Sequence, residues 1–168
     1  MSPVPAQPGG VSVVLALGSN LGDRAGTLIA ATRAIADLEG LDLVGVSPVF
    51  ESAAVKPDGV DAEAPSYLNA VVTARYTGDP YTLLEAVNAI EHDLGRVRAE
   101  RWGDRTIDID IIVFGDLRLA DDRLTIPHPR AAERDFVLVP WLQLDPDAVI
   151  PGRGRVDALL ANIGDGAR

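Results

Sequence analysis

The segment Arg101-Trp102-Gly103-Asp104-Arg105-Thr106-Ile107-Asp108-Ile109-Asp110-Ile111-Ile112-Val113-Phe114-Gly115-Asp116 contains a strand followed by the turn that ends it. Side chains of an extended strand alternate between its faces, so Asp108 and Asp110 share one face while Ile107, Ile109 and Ile111 take the other. Gly115-Asp116 reads as a turn, and Leu117 to Ile126 is expected to return as an antiparallel partner. Working outward, Val11 to Leu17 is a short valine-rich run bounded by glycines and reads as a buried strand. Leu28, Ala31, Ile35 and Leu38 then recur at helical spacing. Leu43 to Phe50 reads as a second strand with Ser47-Pro48 at an edge or bulge, and Tyr67 to Tyr76 as a third. Between them, Glu51 to Ser66 has no periodicity and reads as a long loop. Asp79 is placed to cap a helix with Pro80 at its first position. Leu83, Leu84, Val87, Ile90 and Leu94 form its buried stripe, and Gly95 supplies its stop. Shorter helices are expected around Arg134 to Leu142 and from Val156 to Ile163. Strands and helices interleave without strict alternation and the hairpins require antiparallel pairing, which together predict an α+β sandwich with helices packed on the sheet.

The chemistry of the opening segment is that of a metal and phosphate site. Two carboxylates roughly 7 Å apart on one strand face suit Mg²⁺, which takes one or two carboxylates together with substrate phosphates. Arg96, Arg98, Arg101 and Arg105 supply the planar forks that grip phosphate oxygens. Side by side, these groups suggest a polyphosphate such as ATP, although a solvated arginine-rich face beside a half-exposed strand would use the same residues. A weak bias supports the former: the chain has 14 arginines and Lys56 as its single lysine.

At 168 residues the chain is long enough for one cored domain, expected over 11–168 behind a flexible tail at 1–10. A formal net charge of -10 argues against a general nucleic-acid binder, but a local positive cleft can still focus an anionic ligand. The absence of cysteine excludes disulfides and thiolate chemistry. No apolar run approaches the roughly 20 residues that cross a bilayer, and the Pro- and Gly-rich start lacks the features of a secretory signal. A cytoplasmic protein without a membrane partner is the expectation. There is no Gly-x-x-x-x-Gly-Lys-Ser/Thr phosphate loop, and Gly18-Ser19-Asn20-Leu21-Gly22 serves equally as a strand-to-helix turn. His128, fixed between Pro127 and Pro129 near Arg123 and Arg134, has the position of a phosphate donor.

Taken together these blocks resemble the 6-hydroxymethyl-7,8-dihydropterin pyrophosphokinase family of folate biosynthesis. The resemblance rests on Leu17-Gly18-Ser19-Asn20-Leu21-Gly22, Tyr67-Leu68-Asn69-Ala70, Ile90-Glu91, Leu94-Gly95-Arg96 and Arg101 to Asp110. It continues through Leu124-Thr125-Ile126-Pro127-His128-Pro129 and Arg134-Asp135-Phe136-Val137-Leu138, in the family's order. It implies a ferredoxin-like α+β sandwich, mainly antiparallel, and transfer of pyrophosphate from ATP to the pterin hydroxymethyl group with release of AMP. On the family's pattern, Asp108 and Asp110 hold two Mg²⁺ ions. Arg98 and Arg101, on a closing loop, are the catalytic phosphate grips. Asn88, Glu91, Arg105, Ile111, Arg123, Thr125, His128 and Arg134 complete the ATP side. Tyr67 and Phe136 sandwich the pterin, Asn69 reads its polar edge, Ser52, Ala53 and Val55 line it from a loop, and Trp102 helps exclude water.

Four sites depart from that pattern: Asp104 replaces a usual proline, Pro129 an aromatic, Ser52-Ala53-Ala54 a Thr-Pro-Pro type sequence, and Asn88 a longer Gln. The resemblance also implies a monomer open to association with neighbouring folate enzymes. A non-catalytic nucleotide-binding domain would need the arginines but not both aspartates. An RNA-binding module of similar fold would want a basic sheet face.

Overall fold

The computed structural model describes residues 10–20, 23–52, 55–56, 59–60, 67–99 and 107–166. In chain order they form β1 (Val11–Ser19), α1 (Arg24–Ala36), β2 (Leu41–Val46), β3 (Phe50–Ser52), a two-residue pair β4 (Val55–Lys56) and β5 (Gly59–Val60), and β6 (Tyr67–Tyr76). Then follow α2 (Pro80–Ala99), β7 (Asp108–Phe114), β8 (Leu119–Ala120), β9 (Thr125–Ile126), a 3₁₀ turn Ala131–Glu133, α3 (Asp135–Leu144), β10 (Val149–Ile150), β11 (Gly154–Arg155) and α4 (Val156–Gly166). The main sheet is antiparallel throughout, ordered β2-β6-β1-β7, with β3 also paired to β6. With one helix after β1 and one after β6, this is the split βαβ arrangement of a ferredoxin-like sandwich, as the sequence led us to expect.

Both faces of the sheet are covered, which explains why β1 is an apolar run rather than an alternating strand. Val13, Leu15 and Leu17 point toward α1 and α2, where they meet Leu28, Ile35, Leu83 and Val87. Val14 and Ala16 point the other way, into a second core with Val71, Val137, Leu138 and Trp141 from β6 and α3. Leu15, Ile35, Leu83 and Leu138 are fully buried, each contributing roughly 1.5–3 kcal/mol from apolar transfer. A bulge opposite Val14/Leu15 leaves Ile112 without a partner in the β1–β7 register. It lets Ile112 and Val113 both join the second core while Ile109, Ile111 and Phe114 stay in the first.

Three expectations are corrected. The second strand is two strands, because Pro48 has no N–H to continue the ladder and Ser47 stitches the break to β6. Its backbone N–H donates to the Val71 carbonyl and its Oγ accepts from the Val71 N–H, both at 2.9 Å. Gly95 does not stop α2, which runs to Ala99; Arg-Val-Arg-Ala after it are adequate helix formers that outweigh the ~1 kcal/mol cost of one glycine. Leu117 to Ile126 does not lengthen the sheet beside β7. It folds on itself as the β8–β9 hairpin, with Leu119 opposite Ile126, because Asp121 turns the chain by accepting the N–H groups of Arg123 and Leu124.

Asp79 caps α2 as expected. Its Oδ1 accepts the N–H groups of Tyr81 and Thr82 at 2.9 Å each, and Oδ2 accepts the Thr82 hydroxyl at 3.0 Å. The Thr82 backbone bond, ahead of the other hydrogen bonds, holds this carboxyl below its ordinary 3.8. A lowered carboxyl stabilises the fold above its unfolded pKa and loses that contribution as pH falls through the folded value. Asp79→Ala is therefore expected to cost about 1 kcal/mol in urea unfolding at neutral pH. The gap to wild type should close in acid, and Asp79→Asn should stay near wild type at both extremes.

Candidate active site

Cross-strand register brings the site together. Gly18 on β1 lies opposite Asn69 on β6 and Asp108 on β7, and Phe50 on β3 lies opposite Asn69. Phe50, Asn69, Gly18 and Asp108 thus form one row across four strands. The next row on the same face is Val71, Ala16 and Asp110. The two smallest residues of that patch, Gly18 and Ala16, occupy the middle strand between Asn69 and the carboxylates. A Cβ on Gly18 would stand 3.2 Å from Asn69 Oδ1 and 3.7 Å from Tyr67 Cδ1.

Asn69 is buried, and its amide Nδ2 donates to the Phe50 carbonyl at 2.9 Å and to Ser52 Oγ at 2.8 Å. Those bonds orient the amide and leave Oδ1 over Gly18. Phe136 packs from the first turn of α3 against the second core, and the Arg134 guanidinium lies 5.6 Å from its ring centroid. The structure therefore assembles Ser52, Tyr67 and Asn69 at one end of the sheet, on the face that α3 covers.

A second group lines a cleft of about 290 Å³ along the open edge of β7. Asn88 and Glu91 face it from α2, Ile109, Asp110 and Ile111 from β7, and Arg123, Thr125 and His128 from the hairpin and the segment after it. The β7 edge has two partners here: the Ile109 N–H donates to Glu91 Oε2 at 2.7 Å, and the His128 N–H to the Ile112 carbonyl at 2.9 Å. Asp110 joins the two groups. Its Oδ2 lies 3.9 Å from both His128 Nε2 and Arg134 Nη1, and its side chain is 41% exposed. Burial pushes the His128 imidazole below its ordinary 6.5, Asp110 opposes that shift, and Arg134 and Arg130 add to it. That direction favours the neutral imidazole; its Nδ1 accepts the Arg130 N–H at 3.2 Å, which leaves Nε2 to carry the ring proton on the Asp110 side.

Of the nucleotide-side residues expected from sequence, Asn88, Glu91, Ile111, Arg123, Thr125 and His128 line this single cleft, with Asp110. Arg134 adjoins it through Asp110. Arg123 also pairs with Glu85 at 3.3 Å and sits over the Tyr81 ring at 5.1 Å. Arg98 is corrected: its backbone is in the last turn of α2 rather than on a loop. Val55 lies in β4. Ala53, Arg101, Trp102, Asp104 and Arg105 lie outside the described residues. The sequence reading missed Leu84 and Leu124 as cleft walls, and missed Gly18 as the residue between Asn69 and Asp108.

The donor set suits a hard divalent cation bound with its substrate. Asp108 and Asp110 share a face in the strand register, and among the described residues no group of three or more His, Asp and Glu side chains forms a complete cage. An ion held by these two carboxylates would need further oxygen ligands from outside the protein, which fits the preference of Mg²⁺ for one or two carboxylates with phosphate oxygens and water.

Fold and site define a class: a ferredoxin-like sandwich that carries paired carboxylates between a buried amide, Asn69, and a cleft with basic side chains. The chain belongs to the 7,8-dihydro-6-hydroxymethylpterin-pyrophosphokinase family, whose model matches residues 14–146. It is 36% identical over 155 residues to the 2-amino-4-hydroxy-6-hydroxymethyldihydropteridine pyrophosphokinase of Haemophilus influenzae, covering 92% of this chain and 94% of that one. To the Mycobacterium leprae protein of the same name it is 42% identical over 165 residues, covering 90% and 82%. The Plasmodium falciparum HPPK-DHPS crystallised with pterin and p-hydroxybenzoate shares the fold, with a TM-score of 0.65 at 16% identity over 90% of this chain. This chain spans only 42% of that longer one.

The Glu91 contact can be tested directly. Glu91→Ala leaves the Ile109 edge N–H without its charged acceptor, which should cost about 1.5 kcal/mol or more, roughly tenfold in local opening. Native-state amide exchange at Ile109 is expected to accelerate by that factor, with exchange in β1 little changed.

Proposed function

We propose a division of labour among these side chains for the reaction of the family. The chain is a pyrophosphokinase that transfers pyrophosphate from ATP to the hydroxymethyl group of 6-hydroxymethyl-7,8-dihydropterin, a step in folate biosynthesis. The pterin oxygen attacks the β-phosphorus, the bond between the β-phosphorus and the α-phosphate oxygen breaks, and AMP leaves. Such transfers depend on positioning and on neutralising charge at phosphate oxygens.

In our reading, the space over Gly18 receives the pterin. Asn69 Oδ1 accepts from its polar edge, Tyr67 and Phe136 stack on its faces, and Ser52 holds the Asn69 amide in place. The β7-edge cleft receives the nucleotide, with Ile109, Ile111 and Leu84 as apolar walls and Asn88, Arg123 and Thr125 as polar contacts. Neutral His128 donates from Nε2 to a phosphate oxygen, and Arg134 adds a fixed positive charge between pterin and phosphates. Asp108 and Asp110 would hold two Mg²⁺ ions, which when bound draw charge from the phosphate oxygens and clamp the attacking and leaving groups. Arg98 and Arg101 grip the phosphates, Arg105 joins the ATP side, Ala53 and Val55 line the pterin and Trp102 excludes water, as the family pattern implies. We place the enzyme in the cytoplasm as a monomer that can associate with the next folate enzymes. Among the described residues no helix is long and apolar enough to cross a membrane.

The observation that carries this reading is the common register of Asn69, Gly18 and Asp108, which sets an amide, a residue without a side chain and a carboxylate in one row. Incubating the protein with ATP, Mg²⁺ and the reduced hydroxymethylpterin should yield AMP and the pterin diphosphate; ADP as the sole nucleotide product would refute the assignment. Asp110→Asn should fold normally and lose roughly 10²–10³-fold in turnover, the scale of removing one electrostatic stabiliser. Gly18→Val should raise the pterin KM and leave the nucleotide KM near wild type. A matched rise in both would mean that the space over Gly18 is not the pterin site.

A further inference from the structure

Beyond the β9 and His128 wall of the nucleotide cleft lies another, of about 420 Å³. Its walls are Arg118–Ala120, Thr125–Pro129 and the turn Pro151–Arg153. Thr125, His128 and Pro129 line both clefts, so the segment is a shared partition. Two arginines converge on the outer side. Arg153 Nη2 donates to the Pro129 carbonyl at 3.3 Å, which holds that guanidinium against the partition. Gly152, with φ of +79°, allows Arg118 to lie close to the same turn: a Cβ there would come within 2.8 Å of Arg118 Cζ and 3.0 Å of both terminal nitrogens.

Among the described residues, the exposed Arg118 and Arg153 have no carboxylate within ion-pair distance, as is also true of Arg33 and Arg130, whereas Arg24, Arg123, Arg134 and Arg155 do; what sets these two apart is that they line one cleft. In a chain of net charge -10, two guanidiniums brought to one turn without an acidic partner are unexpected for a merely solvated face. Each is a planar donor fork suited to phosphate oxygens.

We infer that Arg118 and Arg153 form a second anion site that binds a phosphate group beside the nucleotide cleft. Its position rests on the nucleotide reading only through the shared partition; the binding of phosphate by the two arginines does not.

The phosphate has two sources, a free anion or the end of the nucleotide's own chain, and one experiment separates them. The full-length protein is loaded with Mg²⁺ and α,β-methylene-ATP, titrated with inorganic phosphate at low ionic strength, and followed through the side-chain Nε–H signals of Arg118 and Arg153. Saturable shifts of both, weakened at least about tenfold in Arg118→Ala and in Arg153→Ala and unchanged in Arg33→Ala, support a site for free phosphate. Arg33 is an exposed residue of α1 that controls for net charge. If phosphate leaves the loaded protein unchanged but the double variant weakens the analogue about tenfold and AMP not at all, the site holds the nucleotide's own phosphate. If the double variant alters neither phosphate nor analogue binding, the proposal is overturned. Failure of the analogue to bind the wild type refutes the nucleotide reading instead, and phosphate titration of the unloaded protein against the double variant then decides the arginine site.

Discussion

The register of β1 between β6 and β7 is the constraint on which the site depends. Strand side chains alternate with a period of two, so a slip of one residue would move Asp108 and Asp110 (between β1 and β7) or Asn69 (between β1 and β6) onto the face covered by α1 and α2. Register is strongly specified because both faces are buried: Val13, Leu15 and Leu17 fill one core, and Val14 and Ala16 fill the other. The site borrows that specification. Its row of Phe50, Asn69, Gly18 and Asp108 is the continuation of rows that the cores hold in place.

The bulge at Ile112 reconciles two demands on one strand. The N-terminal half of β7 alternates carboxylate and isoleucine, which suits an edge that is wet on one side and dry on the other. Its C-terminal half is apolar on every residue and is covered on both sides. One unpaired residue between them lets Ile112 and Val113 enter the second core without moving either aspartate. Edge strands with open backbone groups invite unwanted pairing, and here Glu91 and the His128 N–H occupy two of those groups. The same two contacts set one wall of the cleft to each side of β7.

Electrostatics then divides an acidic molecule into territories. Asp110 has His128 and Arg134 near it at 3.9 Å, distances that leave its oxygens accessible while lowering the local negative potential. A partly buried neutral imidazole beside a fixed guanidinium offers donors to a phosphate without placing two full positive charges on one carboxylate. Arg134 also lies against Phe136, so a single side chain spans the space between the ring and the carboxylate.

Much of this was legible without coordinates, for identifiable reasons. Tyr67–Tyr76 has the same bounds as a strand that its composition predicts, and Asp79-Pro80 marks the start of α2 because cap chemistry is local. Local signals failed where competing local signals were close in strength: Gly95 against the helix formers that follow it, and Leu117–Ile126 against an Asp121 turn that closes the hairpin on itself. The residues Asn88, Glu91, Thr125 and His128 could be named from their motifs, but nothing in a motif states that α2, β7 and β9 converge on one cleft. By itself the sequence determined the strand and helix types, the shared face of Asp108 and Asp110 and the family, since each follows from short-range spacing or from ordered motifs. Only the tertiary structure decided which strands neighbour one another, that Gly18 lies between Asn69 and Asp108, and that Arg118 and Arg153 meet at one turn. Those facts depend on pairing between segments far apart in the chain, where the free energy of burying two cores, rather than any local preference, selects the arrangement.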